Sequence, residues 1–362
     1  MTAKTVYTPL GSLVLNDHEN HIVDLSWNAE HFHEQQSPVL EHAAEEIEAY
    51  FNQDLTKFTV PTAFKTGTAF QQKVWQAIAE IPFGETVTYG ELAKDLGTSP
   101  RALGTACGKN PVPLIIPCHR VVGDNGKLTG YSGGDGTLTK RVLLGFEKQA
   151  KHEHLNLMLW RELREAIPQK PFYFMRHGET DYNKNLILQG GLIDSLINET
   201  GQQQAVKAGK RIAEVFNPSV VWHSELQRTK QTMEGVLSQM PEKQREIDNH
   251  FGLNERSFGL FDGKSADELP GLFHYYQCSP EGETWLKVVS RIAVALEDIL
   301  NKSDETPLIV AHGAVARCMG DLLGAWPQDH RFLNCEAWYV EPPKDGTTTS
   351  PWQGKQIHEG GL

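Results

Sequence analysis

A chain of 362 residues exceeds the size at which one hydrophobic core keeps growing, so two or three domains are expected, each able to bury its own core. Five cysteines (Cys107, Cys118, Cys278, Cys318, Cys335) show no CxxC or paired spacing and their count is odd, which excludes a disulfide framework and a zinc cluster and points to reduced thiols in a soluble, cytoplasmic protein. No apolar run reaches the roughly 18 residues of a membrane helix, so no membrane partner is expected, and a net charge of −12 excludes a generally basic nucleic-acid coat.

Residues 6–27 alternate apolar and polar positions around Leu13-Val14-Leu15 and Ile22-Val23-Asp24-Leu25, with Asn16-Asp17 and Asn20 as turn residues. That pattern predicts a short antiparallel sheet, and a helix from about 38 to 52 follows. Residues 91–96, the turn Gly97-Thr98-Ser99-Pro100 and residues 101–107 read as helix, tight turn, helix. Thr98 or Ser99 is suited to cap the second helix and Pro100 to its first turn. The charge reverses locally: residues 86–150 carry eight basic side chains (Lys94, Arg101, Lys109, Arg120, Lys127, Lys140, Arg141, Lys148) against five acidic ones (Glu91, Asp95, Asp124, Asp135, Glu147), a net of +3. This fits a small nucleic-acid footprint with few phosphate contacts, and equally an ordinary solvated face.

The apolar run Leu114-Ile115-Ile116 then delivers Cys118 into a turn flanked by His119 and Arg120. Cysteine attacks as the thiolate, which neighbouring cations favour. Residues 151–168 place Leu155, Leu159, Leu163 and Ile167 four apart, a helical stripe with Arg161, Glu162 and Arg164 outside it. Pro168 and Pro171 end this connector, and Phe172-Tyr173-Phe174-Met175 begins a new domain as a strand. Beyond Pro342 the composition predicts loop, apart from a short strand near Trp352.

Around Cys118 stand Phe70-Gln71-Gln72-Lys73-Val74-Trp75, Ile81-Pro82-Phe83-Gly84, Tyr89-Gly90-Glu91-Leu92-Ala93, Arg101-Ala102-Leu103-Gly104, Asn110-Pro111, Gly130-Tyr131-Ser132-Gly133-Gly134, and Leu143-Leu144 followed by Glu147. In this order residues 1–150 resemble the O6-alkylguanine-DNA alkyltransferases. The resemblance implies a partner, double-stranded DNA carrying O6-alkylguanine, bound through a minor-groove helix-turn-helix that extrudes the damaged base. Arg101 would fill the gap in the stack and Tyr89 would help rotate the nucleotide. Tyr131 and Ser132 would form the pocket wall, with Gly133 and Gly134 letting backbone approach the base. Asn110 would brace the turn carrying Cys118, the alkyl acceptor, with His119 taking its proton and Glu147 orienting the imidazole. The thioether product has no leaving group, so the protein would act once. No cofactor and no metal is implied; some family members carry a zinc site near the N-terminus, but here no Cys precedes Cys107, and His18, His21, His31 and His33 could hold a metal only adventitiously. The rival from another class is a damage-sensing DNA binder, from which Cys118 discriminates.

After the Phe172–Met175 strand come Arg176-His177-Gly178-Glu179-Thr180, Asn183, Leu188-Gln189-Gly190, Ser224-Glu225-Leu226-Gln227-Arg228, Leu253-Asn254-Glu255, Phe258-Gly259, Asp262-Gly263, Glu281-Gly282-Glu283-Thr284 and Val310-Ala311-His312-Gly313. Residues 170–362 thereby resemble the histidine phosphatase (phosphoglycerate mutase-like) superfamily. The resemblance implies a small phosphorylated substrate, attack by His177 to form a phosphohistidine, and phosphate oxygens held by Arg176, Arg228 and His312. Asn183 and Gln189 would serve in substrate binding, and Glu255 would protonate the leaving oxygen and then activate water. Mutase and phosphatase share these residues; the short interval between Glu255 and Glu281 favours phosphatase, and a non-catalytic phospho-ligand module is the remaining alternative.

The expected fold is therefore an α/β multidomain chain. It has a small antiparallel-sheet N-terminal subdomain (1–65), a helix-turn-helix alkyltransferase subdomain (66–150), a helical connector (151–169) and a three-layer α/β histidine phosphatase domain (170–362).

Overall fold

A computed structural model of the chain describes residues 2–27, 37–148, 160–265, 268–269, 281–327, 330–348 and 350–358. These fall into two compact units, 2–148 and 160–358.

The first unit opens with three antiparallel strands, β1 (Thr2–Thr8), β2 (Gly11–His18) and β3 (His21–Trp27), in the order β1-β2-β3. The sheet begins nearer the N-terminus than the alternation from residue 6 indicated. Asn16 and Asp17 are not turn residues. They lie within β2, where the register against β3 shifts between them, and the reversal falls on Glu19 and Asn20, whose φ of 49° and 63° are left-handed. Asn and Asp signal an irregularity in either place, and here it is a bulge. Helix α1 (Pro38–Phe51) packs on the sheet through a buried face that includes Val39, Leu40, Ala43, Ile47 and Tyr50.

The rest of this unit holds α2 (Ala69–Ala79), β4 (Val87–Thr88), α3 (Tyr89–Asp95), α4 (Pro100–Cys107), β5 (Val121–Val122) and α5 (Thr137–Glu147). Thr68 with Gln71, and Thr88 with Glu91, form reciprocal capping boxes on α2 and α3. Ser99, rather than Thr98, caps α4, its hydroxyl accepting from Ala102 N at 3.3 Å, with Pro100 in the first turn. The two short strands pair in parallel, Val87 with Val121 and Thr88 with Val122. Since Tyr89 follows β4 directly and a 3-10 turn, Cys118–Arg120, precedes β5, this pairing fixes the cysteine turn beside the start of α3.

In the second unit a short helix α6 (Arg161–Arg164) leads to a six-stranded mixed sheet made of β6 (Phe172–Arg176), β7 (Val220–His223), β8 (Glu246–Asn249), β9 (Leu308–Ala311), β10 (Ala337–Glu341) and β11 (Gln353–Gln356), ordered β11-β10-β6-β9-β7-β8. The four strands from β6 to β8 run parallel, and β10 and β11 add antiparallel edges. The helices are α7 (Asp181–Lys184), α8 (Glu199–Ala213), α9 (Gln227–Leu237), α10 (Trp285–Lys302) and α11 (Gly313–Leu323). One sheet face, with Tyr173, Met175, Val221, Leu308 and Val310, packs on Ala205, Ala208 and Ile212 of α8 and Met233 and Val236 of α9. Strands buried on both faces read as continuous apolar runs, as Phe172–Met175 and Leu308–Ala311 do, and each such fully buried large side chain contributes about 1.5–3 kcal/mol.

Of the expected connector, Leu155 and Leu159 lie outside the described residues. Arg164, expected outside the apolar stripe, is 1 % exposed and donates to Leu322 O at 3.2 Å, so the buried face of α6 includes a guanidinium. The strand expected near Trp352 is β11, and Trp352 itself is buried. Among the described residues no helix is long and apolar enough to cross a membrane.

Candidate functional site

Cys118, 4 % exposed, lies on a cavity of about 610 Å³ whose lining also includes Tyr89, Arg101, Cys107, Tyr131 and Ser132. The turn that presents it is built by Asn110. The amide Nδ2 of Asn110 donates to Ile116 O at 2.8 Å and to Cys118 Sγ at 3.2 Å, and its Oδ1 accepts from Val112 N at 3.1 Å. Inside this loop Leu114 is fully buried at a φ of 78°, a left-handed conformation that costs a branched residue energy and is held by the packing around it.

Behind the cysteine, His119 Nε2 donates to Glu147 Oε1 at 2.8 Å. With that nitrogen protonated, Nδ1 carries the lone pair; it is buried and has no partner among the described residues. Glu147 also accepts from Arg120 Nε at 2.9 Å and Nη2 at 2.9 Å, from Tyr50 OH at 2.7 Å and from Gly84 N at 3.2 Å. Burial alone would raise the Glu147 carboxyl, but His119 and Arg120 outweigh it and hold the group well below its ordinary range. It is therefore a fixed negative charge. Burial pushes the Cys118 thiol up, opposed by the Asn110 hydrogen bond and by Lys140. The groups favouring the thiolate are thus Asn110 and Lys140, whereas Arg120, the expected neighbour cation, is turned away onto Glu147.

Other expectations shift with the geometry. Gly133 and Gly134 also answer to packing within the protein. A Cβ on Gly133 would stand 2.7 Å from Trp27 Nε1, and Gly134, at φ 51°, packs against Thr139, so the pair is demanded by packing within the protein. Arg101 is exposed at the head of α4 and lines the cavity, and Ser132 is exposed on its wall. Two of the eight basic side chains counted toward a positive face, Arg120 and Lys140, are buried; Lys94, Arg101, Lys109, Lys127, Arg141 and Lys148 are exposed. Tyr50 and Lys140 had no role in the sequence reading. The available signal was a Lys and a Glu seven apart, Lys140 and Glu147, on the apolar stripe of α5.

In the second unit, His177 follows β6 and His312 follows β9, at the carboxyl ends of adjacent parallel strands, the usual place for a site in such a sheet. Their rings are 5.1 Å apart between centroids. His177 Nδ1 donates to Gly178 O at 2.7 Å, which leaves the lone pair on Nε2. Burial, reinforced by Arg176 and Arg228, pushes this imidazole well below its ordinary range, which favours the neutral ring. His312 is likewise held neutral, first by burial and then by Arg228. It accepts from Arg228 Nε through Nδ1 at 3.2 Å and contacts Ser224 Oγ through Nε2 at 2.7 Å.

Arg228 donates also to Ile193 O at 2.8 Å and Gly190 O at 3.5 Å, and Arg176 donates to Phe332 O at 2.7 Å. A guanidinium has five N–H groups, so each arginine retains donors; Arg176 Nε is buried with no partner among the described residues. Both nitrogens of His312 are engaged, so holding a phosphate oxygen would require it to exchange Ser224 or Arg228. Glu255 accepts from Arg256 N at 2.9 Å and, at the head of α11, from Ala314 N at 3.3 Å. Asn183 Oδ1 accepts from Thr180 N at 3.4 Å and Asn334 Nδ2 at 3.1 Å, and Gln189 accepts from Thr180 Oγ1 at 2.8 Å, so these contacts of the two expected substrate binders brace the loop after His177. Asp262, Ser224 and Asn334 were not assigned from sequence. Asp262 packs on Gly190, where a Cβ would overlap its carboxylate, and burial pushes its carboxyl up to about 6.

Residues 1–64 match the family model described as the ribonuclease-like domain of 6-O-methylguanine DNA methyltransferase, and residues 69–149 the DNA binding domain of the same proteins. Residues 172–350 match the histidine phosphatase superfamily (branch 1). The methylated-DNA–protein-cysteine methyltransferase of Mycobacterium tuberculosis is 40 % identical over 162 residues, 42 % of this chain and 96 % of that protein. The crystal structure of the Mycobacterium tuberculosis OGT in complex with DNA is 42 % identical, covering 41 % of this chain and 93 % of that one with a TM-score of 0.37. Bacillus stearothermophilus YhfR is 24 % identical, covering 53 % of this chain and 97 % of that one, with a TM-score of 0.44. The chain belongs, through its first unit, to the methylated-DNA–protein-cysteine methyltransferase family, and its second unit is a histidine phosphatase superfamily domain.

Proposed function

We propose that the first unit repairs O6-alkylguanine in duplex DNA by moving the alkyl group to Cys118. The observation that carries this is a buried thiol on an open cavity, backed by the His119–Glu147 pair and flanked by Arg101 on the second helix of a helix-turn-helix. The carbon–sulfur bond forms as the bond from carbon to guanine O6 breaks, its electron pair going to the base; His119 Nδ1 takes the thiol proton, and the guanine anion takes up one proton in return, so guanine is restored in the strand. Arg101 occupies the place of the extruded nucleotide, and Tyr89, Tyr131 and Ser132 receive the base. The thioether is not hydrolysed, so each molecule reacts once. The test is intact mass after incubation with duplex containing O6-methylguanine. The wild type is expected to gain one methyl group and Cys118→Ala none, with DNA binding retained; a wild type that gains nothing, or a mutant that does, overturns the reading.

We further propose that the second unit hydrolyses a phosphomonoester. His177 Nε2 attacks phosphorus in line, Arg176 and Arg228 hold the oxygens, and Glu255 protonates the departing alcohol and then takes the proton of the water that cleaves the phosphorus–nitrogen bond. What favours this over passive binding is the neutral His177, oriented through Nδ1 and flanked by two guanidinium groups. Phosphate release from a panel of phosphate esters is expected from the wild type and not from His177→Ala; release by the mutant at the wild-type rate removes His177 as the nucleophile.

A further inference from the structure

Lys140 is a cation that the chemistry above does not use. It sits on the core-facing stripe of α5 and is 0 % exposed. Its Nζ donates to Val121 O at 2.6 Å and Thr129 O at 3.3 Å, and stands 5.6 Å from the centroid of the Tyr89 ring. No carboxylate among the described residues pairs with it, because Glu147, on the same helix, is occupied by His119, Arg120, Tyr50 and Gly84. A buried ammonium satisfied only by neutral carbonyls and an aromatic face has no compensating charge, an arrangement that proteins seldom retain without a partner.

The two carbonyls indicate what the partner is. Val121 closes the Cys118–Arg120 turn, its N–H bonded to Cys118 O, and Thr129 lines the cavity on which the sulfur lies. We propose that Lys140 is a positioning residue that supplies the counter-charge for the Cys118 thiolate and pins the two backbone segments that shape its cavity. The proposal rests on Cys118 being the acceptor. Asn110 bonds the sulfur, and the titratable groups whose charge reaches it are Cys107, Tyr89, Tyr131 and Lys140; those near the ammonium are Cys107, Cys118 and the Tyr89 ring. Among these Lys140 is the one ammonium group. The influence is mutual. Burial lowers the Lys140 ammonium while the Cys118 and Cys107 sulfurs hold it up, and Lys140 in turn draws the thiol down against burial. Alkylation removes the negative charge and leaves Lys140 alone.

Two rates are followed against pH in the full-length protein, for the wild type, Lys140→Met and Lys140→Arg. One is carbamidomethylation of Cys118 by iodoacetamide, read by peptide mass; the other is single-turnover methyl transfer from O6-methylguanine duplex. Lys140→Met is expected to displace both profiles to higher pH, with a loss of about tenfold at pH 7 for a displacement of one unit, and Lys140→Arg to stay nearer the wild type. A folded Lys140→Met with the wild-type profile overturns the proposal. Should that variant not fold, isotope-labelled lysine in the wild type decides by NMR: the Lys140 titration is expected to fall once Cys118 is carbamidomethylated, and an unchanged midpoint overturns the counter-charge. Displaced carbamidomethylation without methyl transfer would leave the counter-charge standing and remove the repair reading; methyl transfer with undisplaced profiles would do the reverse.

Discussion

Glu147 holds the buried Arg120 guanidinium and the His119 imidazole together, and that sets what its replacement does. Glu147→Gln keeps the shape but leaves Arg120, bonded through Nε and Nη2, without an anion, and turns an amide N–H toward a donor. Breaking one side of a buried pair costs about 3–5 kcal/mol. The expected outcome is accelerated native-state hydrogen exchange over 118–122 together with slower alkyl transfer; normal exchange would show that Arg120 finds another acceptor. The depressed Glu147 carboxyl contributes stability that is fully present above its ordinary value of 4.5 and is withdrawn as pH falls toward the folded value, so this unit should resist mild acid. Cys118, His119 and Glu147 were legible because residue type and order carry their chemistry. Tyr50 was not: 97 positions separate it from Glu147, and a tyrosine on an amphipathic helix looks like core. Lys140 was counted as surface charge because composition does not distinguish a solvated cation from a buried one.

Among the elements, helix α4 places Arg101 in its first turn, on the rim of the cavity. Ser99 caps it, Pro100 sets its first turn, and Leu103, Ala106 and Cys107 bury the opposite side, so Arg101 projects at the exposed head beside the cavity. Arg101→Ala removes no capping group and should leave the helix intact. It should slow repair of O6-methylguanine in duplex far more than reaction with a free O6-alkylated base, because only the duplex must be held open. Equal losses on both substrates would exclude the intercalating role. The helix-turn-helix was readable from Gly97, Ser99 and Pro100, whose cap and turn preferences act locally. The turn at Asn20 was legible, whereas the further turn expected at Asn16 and Asp17 is a bulge, because both residues favour bulges as well as turns and only pairing with β3 decides between them. The packing demand on Gly133 and Gly134 was not legible for the same reason: the side chains that a Cβ would meet, Trp27 and Thr139, are visible only in the folded chain.

For the whole molecule, the decisive fact is that each site draws its residues from one unit alone. The first reaches from Tyr50 to Glu147 and the second from Arg176 to Asn334 among the described residues. The partition was legible because each half carries a complete run of motifs and because Pro168 and Pro171 separate an amphipathic segment from a buried strand. The chain should therefore behave as two enzymes with additive defects, since sites that share no partners do not couple. His177→Ala is expected to lose phosphate release while gaining methyl mass at the wild-type rate, and Cys118→Ala to show the converse. The measurement is both assays on each single mutant and on the double mutant, at equal folded concentration. Additivity predicts that the double mutant shows each single defect unchanged. A fall in methyl transfer caused by His177→Ala in a folded protein would mean that occupancy or charge in the second site biases the first, and the independence of the two chemistries would have to be abandoned.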